Sequence, residues 1–385
     1  MADMDDRRRP VLLLSPEQEK VLSAFEPGDP VVPALVYDFG VAGQSDAELA
    51  QAIAEARARW GGGLLAVGGR QAFGLDTENE DPFEEDPDGA IPFDRTVGRY
   101  AACARRVREA GCGAVLFSRL PSITEARAAL LGGRSCGLPV WLAADLDREG
   151  EDMEDGTDVL ATFVTLQSLG AAAFGFGRPD SGELILPSLE RVAPYAVIPL
   201  YARPECLAPG GESGEPGRVL TPAEYGALAQ RFVDLGVELC GGGYGARSVH
   251  LLAVKEALSR PRPRPERLAQ DNILLCTHNQ TFFLKDNLDV SDPVACGEDM
   301  SDDLLSLEEL GSDVLCIRLE HPEDPLLFAR NSYLLGLPVS FLSDDPALLA
   351  QALHYFPGRA AVDSRSVLER PELEAIAARW GAVVI

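Results

Sequence analysis

The chain has 385 residues, a formal net charge of −27, and 46% hydrophobic and 25% charged residues. A chain of this length and apolar content can build one large core or two smaller ones. The acidic balance argues against nucleic acid and anionic membrane as partners, because phosphate groups are bound by basic surface. There is no run of 18 apolar residues and no apolar signal core near the start, so a cytoplasmic protein without membrane contact is expected.

After residues 1–30, interpreted as an N-terminal extension, short apolar runs alternate with helical patterns over 31–258. Uninterrupted apolar runs are typical of parallel strands buried on both faces. The predicted strands are 31–39, 64–69, 114–119, 140–146, 172–177, 196–202 and 237–242, with a weak eighth, AIPF, at 90–93. Helical patterns cover 45–60, 93–111 and 221–236, the last beginning with the capping box Thr221 to Glu224. Alternation of this kind predicts either a doubly wound sheet or a TIM-type (β/α)8 barrel, and a count of eight favours the barrel.

The segment 76–89, DTENEDPFEEDPDG, carries 8 acidic residues among 14. Carboxylates in this number could bind a hard divalent cation, but their spacing matches no calcium loop. A solvated loop is the simpler interpretation.

Residues 259–270 contain SRPRPRPE, a composition typical of a stiff linker, which separates a second segment at 271–385. Its predicted strands are 273–278, 314–319, 339–343, 360–364 and 382–385, with helices at 345–356 and 369–380 between them. About five βα steps predict a partial, half β/α barrel. Its last strand, AVVI, would expose an apolar edge. We therefore expect the first barrel, a second copy of the chain or a partner protein to cover that edge.

Four stretches of the first domain resemble homocysteine S-methyltransferases and the homocysteine-binding barrel of cobalamin-dependent methionine synthases. They are SITEARAALLGGRSCGLPVWLAADLDREGEDMEDGTD (122–158), LGAAAFGFGRPDSG (169–182), RPECLAP (203–209) and LGVELCGGGYGARSVHLLAVKEAL (235–258). The resemblance implies a barrel that transfers a methyl group to the thiol of homocysteine in methionine synthesis. In that family three cysteinates hold a zinc ion, which lowers the pKa of the substrate thiol.

The resemblance places the three zinc-ligand positions at Arg178, Gly243 and Tyr244, none of which is a cysteine. The residual thiols nearby are Cys206 and Cys240, and none of the 8 cysteines forms a C-x-x-C pair. No zinc is therefore predicted. His250 follows the glycine turn and is expected to start a helix or pack rather than to replace a ligand.

The candidate substrate-binding residues at the barrel mouth are five in number. They are Asp38, Ser118, Arg178, Tyr244 and His250. Arg178 puts a cation where zinc would lie, which could accept a carboxylate or phosphate, or simply pair with a nearby carboxylate such as Asp180.

The second segment resembles the opening half of the pterin-binding barrel of methionine synthases, through 311–324, 335–364 and 378–385. The positions that bind the pterin in that family read Cys316, Arg318, Leu342, Asp363 and Ser366 here, which argues against folate binding. The cobalamin-binding pattern Asp-x-His-x-x-Gly is absent from the sequence. No cofactor is predicted.

Two main functions remain open at this point. One is a homocysteine S-methyltransferase-like protein whose activity is lost or altered; the other is a non-catalytic paralogue that binds a small anion or regulates a methionine synthase by assembly. A different enzyme built on the same barrel mouth is a third interpretation, but no nucleophile–base pair supports it.

Overall fold

The computed structural model describes residues 9–39, 45–60, 64–75, 81–177, 181–208, 210, 217–260, 273–285 and 287–385. Residues 261–270 of the predicted linker and the first five residues of the acidic segment, 76–80, lie outside these ranges. Within them, no helix is long and apolar enough to cross a membrane.

Eight parallel strands close into a barrel in chain order, and the first strand pairs with the eighth. They are β1 (Val11–Leu14), β2 (Val32–Asp38), β3 (Leu65–Gln71), β4 (Ala114–Leu120), β5 (Val140–Asp145), β6 (Ala173–Gly177), β7 (Leu200–Ala202) and β8 (Val237–Gly241). The helices outside them are α1 (Asp46–Trp60), α2 (Pro92–Glu109), α3 (Ile123–Arg134), α4 (Val159–Ser168), α5 (Leu186–Val192), α6 (Pro222–Asp234) and α7 (Ser248–Ser259). This confirms the predicted TIM-type barrel.

One strand was predicted in the wrong place. AIPF at 90–93 is not a strand, because Pro92 opens α2. The eighth strand is instead β1, inside the range predicted as an extension, and its Leu12 to Leu14 are fully buried. Residues 1–30 therefore include a part of the barrel.

Alternate residues along each strand face opposite sides of the barrel wall. An inner cluster includes Leu13, Val36, Leu116 and Trp141, while their neighbours pack outward against the helices. The barrel thus has a packed interior, and its open polar end is left to the residues at the carboxyl ends of the strands.

The second segment begins with an antiparallel hairpin of β9 (Ile273–Cys276) and β10 (Thr281–Leu284). A five-stranded parallel sheet follows, in the order β11 (Val294–Ala295), β12 (Leu315–Arg318), β13 (Val339–Leu342), β14 (Ala361–Val362) and β15 (Val383–Val384). Its helices are α8 (Ser301–Leu310), α9 (Asp324–Asn331), α10 (Pro346–Tyr355) and α11 (Arg370–Trp380). The open sheet agrees with the predicted half barrel, but 273–278 was wrongly predicted as one of its strands, and β11 takes that place.

The apolar end of the chain is covered in part by the segment itself. Val383 and Ile385 pack on a small cluster that contains Leu275 of the hairpin and Ala361. β11 and β15 are the two edge strands of the sheet. The predicted oligomer or partner protein at this edge stays a prediction.

Polar contacts, both buried and exposed, join the barrel to the second segment. Arg127 of α3 donates hydrogen bonds to the backbone oxygens of Leu353, His354 and Gly358 at 2.9, 3.0 and 3.2 Å. Asp94 of α2 accepts from Tyr355 Oη at 2.8 Å and lies 2.7 Å from His354 Nε2. The two parts therefore meet along α2, α3 and α10.

Candidate functional site

Four of the polar or charged side chains at the carboxyl ends of the barrel strands continue the inward-facing rows of those strands, at the end where TIM-type barrels place their active sites. Asp38 ends β2, Ser118 lies in β4, Asp145 ends β5, and Arg203 follows β7. Asp38 and Ser118 were predicted from the sequence, whereas Asp145 and Arg203 were not. A usable signal was present, because each of the four stands two residues after an inward-facing residue: Val36, Leu116, Ala143 or Tyr201.

The Asp38 carboxylate is exposed to solvent at the end of β2, but neighbouring backbone crowds it. A Cβ at position 69 would lie 2.9 Å from Asp38 Oδ1, so Gly69 leaves the space that the carboxylate occupies. Burial raises the pKa of Asp38, and the nearby Arg203 only partly offsets this effect. Asp38 is thus a carboxylate that gains from a cationic or hydrogen-bond-donating ligand.

Arg203 is the central cation of the mouth. Its Nε donates to the backbone oxygen of Gly242 at 3.0 Å, which fixes the guanidinium beside the loop after β8. Its charge favours the ionised forms of Glu17 and Asp38. Tyr201 lies beneath it, and burial raises the pKa of that phenol to about 12. A guanidinium held in this way can receive a carboxylate or phosphate.

A second charged pair joins β4 to β5. Arg119 Nε lies 3.6 Å from Asp145 Oδ2, with the Asp145 side chain 2% exposed and that of Arg119 49% exposed. The pairing of β4 with β5 shifts register between Ser118 and Leu120, and Arg119 has a φ of 59° in the left-handed region. Such a conformation is uncommon for a residue with a side chain and concentrates at functional sites.

The loop after β3 is held at the rim by a buried carboxylate. Glu125 accepts hydrogen bonds from the backbone N–H groups of Phe73, Gly74 and Leu75 at 2.7, 3.0 and 2.8 Å. Tyr100 Oη donates to the same carboxylate at 2.7 Å. These bonds fix the direction in which the chain leaves β3.

The positions that the resemblance assigns to zinc do not form a ligand set. A Cβ at position 243 would lie 2.9 Å from the oxygen of Pro204, so this backbone leaves little room for a side chain. Tyr244 is 75% exposed on the loop. Arg178 lies outside the described residues. Among the residues that the structure describes, no group of three or more His, Cys, Asp or Glu side chains could hold a metal ion.

The residual thiols do not provide substitutes. Cys206 and Cys240 are buried and belong to the apolar layer between barrel and helices, and Cys240 follows the inward-facing Leu239. Burial raises the pKa of Cys206 to about 11 and that of Cys240 to about 12. Both side chains are packed in that apolar layer, and neither belongs to a group of three or more possible metal ligands among the described residues.

His250 has a structural position at the start of α7. Its Nδ1 accepts from the backbone N–H of Arg247 at 2.9 Å, and its Nε2 lies 3.0 Å from the oxygen of Leu220. With Nε2 protonated, both ring nitrogens are used, and the ring is 4% exposed. The structure thus places His250 as a cap beneath the mouth and not among the groups that face it.

The five positions of the second segment where the resemblance would place pterin contacts also differ from a pterin site. Asp363, which is the only carboxylate among them, accepts from Arg365 Nη2 at 2.6 Å, and its side chain is 4% exposed. Arg365 lines a cavity of about 400 Å³ together with Arg318 and Leu342. The Asp363 carboxylate is therefore already paired with Arg365 of the same segment.

The family model that matches the chain is described as Homocysteine S-methyltransferase and covers residues 42–258. No curated protein matches the chain. Among solved structures, the apo form of the homocysteine methyltransferase MmuM from Escherichia coli aligns with a TM-score of 0.47 and 14% identity, over 66% of this chain and 97% of that one. Its metallated form gives 0.45 and 16%, over 65% and 96%. The carboxyl transferase domain Y628A of Rhizobium etli pyruvate carboxylase gives 0.39 and 11%, over 66% and 47%.

Proposed function

Because this chain belongs to the homocysteine S-methyltransferase family, we propose that it keeps the family's barrel as a binding scaffold and does not perform zinc-dependent methyl transfer. The mouth instead receives a small molecule that carries a carboxylate or phosphate, with Arg203 as the receiving cation. Asp38 then accepts hydrogen bonds from the rest of that ligand.

The backbone geometry at Gly243 supports the first half of the proposal, that the chain does not perform zinc-dependent methyl transfer. A cysteine there would bring its Cβ to 2.9 Å from a backbone oxygen and to 3.2 Å from Glu205 Cδ. A backbone oxygen cannot rotate away as the end of a side chain can. The backbone therefore leaves too little room at position 243 for the cysteine that would bind zinc. Without zinc, a homocysteine thiol with a pKa near 8.5 would stay mostly protonated at neutral pH.

The positions of Arg203 and Asp38 support the second half of the proposal, that the mouth binds a small anionic molecule. Arg203 is half-buried, anchored through Nε and hydrogen-bonded to the Tyr201 phenol, so its remaining N–H groups are held in place for an anion. Asp38 is crowded and carries a raised pKa, which a ligand N–H would lower. A ligand with an anionic end and a donor would satisfy both groups.

The test of the first half measures zinc in the purified protein by mass spectrometry and methionine formed from homocysteine and S-adenosylmethionine. We expect far less than one zinc per chain and no methionine, with or without added zinc. One zinc per chain together with methionine formation would overturn the proposal.

The test of the second half titrates succinate and inorganic phosphate into the protein and into Arg203→Gln, by calorimetry. Loss of a charge-assisted pair should weaken binding of the better anion by about tenfold. Arg218→Gln, which removes a 61% exposed arginine from the surface, is the matched control and should bind as the unchanged protein does. Equal affinity in Arg203→Gln would show that the anion does not bind at the mouth.

A further inference from the structure

A second cavity, of about 480 Å³, lies between the rim of the barrel and the second segment. The barrel contributes residues of three loops or helix starts, among them Asp81, Thr124 and Asp155, and the second segment contributes His278, Arg330 and Tyr333. Cavities of this volume at the junction of two folded parts are common sites for small ligands. This cavity is separate from the barrel mouth, since neither Asp38 nor Arg203 lines it.

The two walls of the cleft carry opposite charges. Arg330 comes from α9 in the second segment, while Asp81 and Asp155 come from the barrel. Arg330 Nε makes a long bond of 3.4 Å to the oxygen of Phe83, and no ion pair joins Arg330 to either aspartate in the described part of the chain. Arg330 and the two aspartates therefore line the same cavity without forming an ion pair with each other.

The surroundings of Asp155 disfavour the ionised form of its carboxyl group. Burial raises its pKa, and the hydrogen bonds from Thr157 only partly offset that effect, while the neighbouring Glu154 adds a further negative charge. Thr157 uses only Oδ1, with N–H at 3.0 Å and Oγ1 at 2.6 Å. The second oxygen of the carboxylate can therefore accept from an ammonium group in the cleft.

We propose that this cleft binds a small zwitterion of the α-amino acid type. The ligand carboxylate pairs with Arg330, its ammonium group pairs with Asp155, and its side chain lies along the apolar wall formed by Ile123, Ala329 and Pro357. A ligand that carries both charges pairs with both walls, whereas an ion of a single charge pairs with only one of them.

Binding in the cleft would be connected to the barrel mouth. Asp155 N donates to the oxygen of Pro121, which follows β4, and Glu154 N donates to the oxygen of Asp145 at 3.1 Å. The same loop therefore contacts both the cleft and the Asp145 end of the mouth.

The test uses L-methionine as probe, titrated by calorimetry into the full chain. Two analogues each lack one charge: 3-methylthiopropylamine without the carboxylate, and 4-methylthiobutanoate without the ammonium group. We expect methionine to bind and each analogue to bind at least about tenfold more weakly. Equal affinity for one of the analogues, or no binding of methionine, would overturn the proposal.

Variants locate the site. Arg330→Gln and Asp155→Asn should each weaken methionine binding by about tenfold or more, and Asp155→Asn keeps the oxygen that Thr157 requires. Arg370→Gln removes an exposed arginine of the same segment and should bind as the unchanged protein does. Arg203→Gln is measured beside it to detect methionine that binds at the mouth. Thermal unfolding of each variant checks that it is folded. If Arg203→Gln abolished binding and Arg330→Gln did not, methionine would bind at the mouth, and the cleft proposal would fail while the proposed function would stand.

Discussion

The positions of the polar residues at the mouth are set by the alternation of side chains along each strand. Inside the barrel, every second position of a strand is apolar and packed, and the first inward position beyond that packing meets solvent. Asp38 occupies such a position after Val36, and Arg203 occupies it after Tyr201. The chemistry of the site therefore depends on a few side chains such as Asp38 and Arg203, and on glycines such as Gly69 that leave room for them.

Asp38→Asn should stabilise the protein at neutral pH. The folded-state pKa of Asp38 is raised above its ordinary value of 3.8, so folding favours the protonated form and the ionised form is a cost. That cost is absent below the ordinary pKa and appears as the pH rises through the folded-state pKa. Thermal unfolding from pH 3 to pH 8 should therefore show equal melting temperatures at the acid end and a higher one for Asp38→Asn at neutral pH. A lower melting temperature at neutral pH would mean that the attraction to Arg203 outweighs desolvation.

Helix α3 organises the rim of the barrel through its first turn. Ser122 Oγ caps the helix by accepting from the N–H of Glu125, and the fully buried Glu125 side chain then faces back toward the loop after β3. Three backbone donors and the Tyr100 hydroxyl compensate its burial. A helix terminus thus positions a loop of the neighbouring βα unit.

Glu125→Gln should lower the free energy of unfolding by roughly 2–4 kcal/mol, since a neutral amide offers one acceptor oxygen where the carboxylate offers two. Tyr100→Phe, which removes one of the four donors and keeps the ring, should cost only about 1 kcal/mol. Urea unfolding of both variants measures the difference. Equal losses in the two variants would show that the backbone bonds of the loop contribute little.

The sequence predicted most elements but missed those whose partners are distant along the chain. Seven barrel strands were recognisable as apolar runs, but VLLL at 11–14 is short and stands alone in a polar region, so only its pairing with β8 identifies it. ILLC at 273–276 reads as a buried parallel strand, yet it pairs with the less apolar β10 in a hairpin. Arg203 was missed although it directly follows the predicted strand 196–202 and stands two residues after the inward-facing Tyr201.

At the scale of the whole molecule, a buried arginine lies at the junction of the barrel and the second segment. Arg127 is 2% exposed and donates to three carbonyl groups, two of them at the carboxyl end of α10. Burial lowers the pKa of Arg127 to about 9, which still leaves the guanidinium charged at neutral pH. A positive charge at a helix carboxyl end is favourable, because the unpaired carbonyl groups there carry partial negative charge.

Arg127→Leu should lower the free energy of unfolding by roughly 2–4 kcal/mol, because leucine fills the space but leaves the buried carbonyl oxygens of Leu353, His354 and Gly358 without their donor. Arg127→Lys should recover only part of this, since an ammonium group cannot reach three carbonyls with the planar geometry of a guanidinium. The loss should fall on the junction between the two parts, so urea unfolding should separate into two transitions and proteolysis near the linker at 259–270 should accelerate. Arg105→Leu, at an exposed position of α2, is the matched control and should unfold in one transition. A single transition of unchanged midpoint in Arg127→Leu would show that apolar packing of α2, α3 and α10 joins the two parts without this arginine.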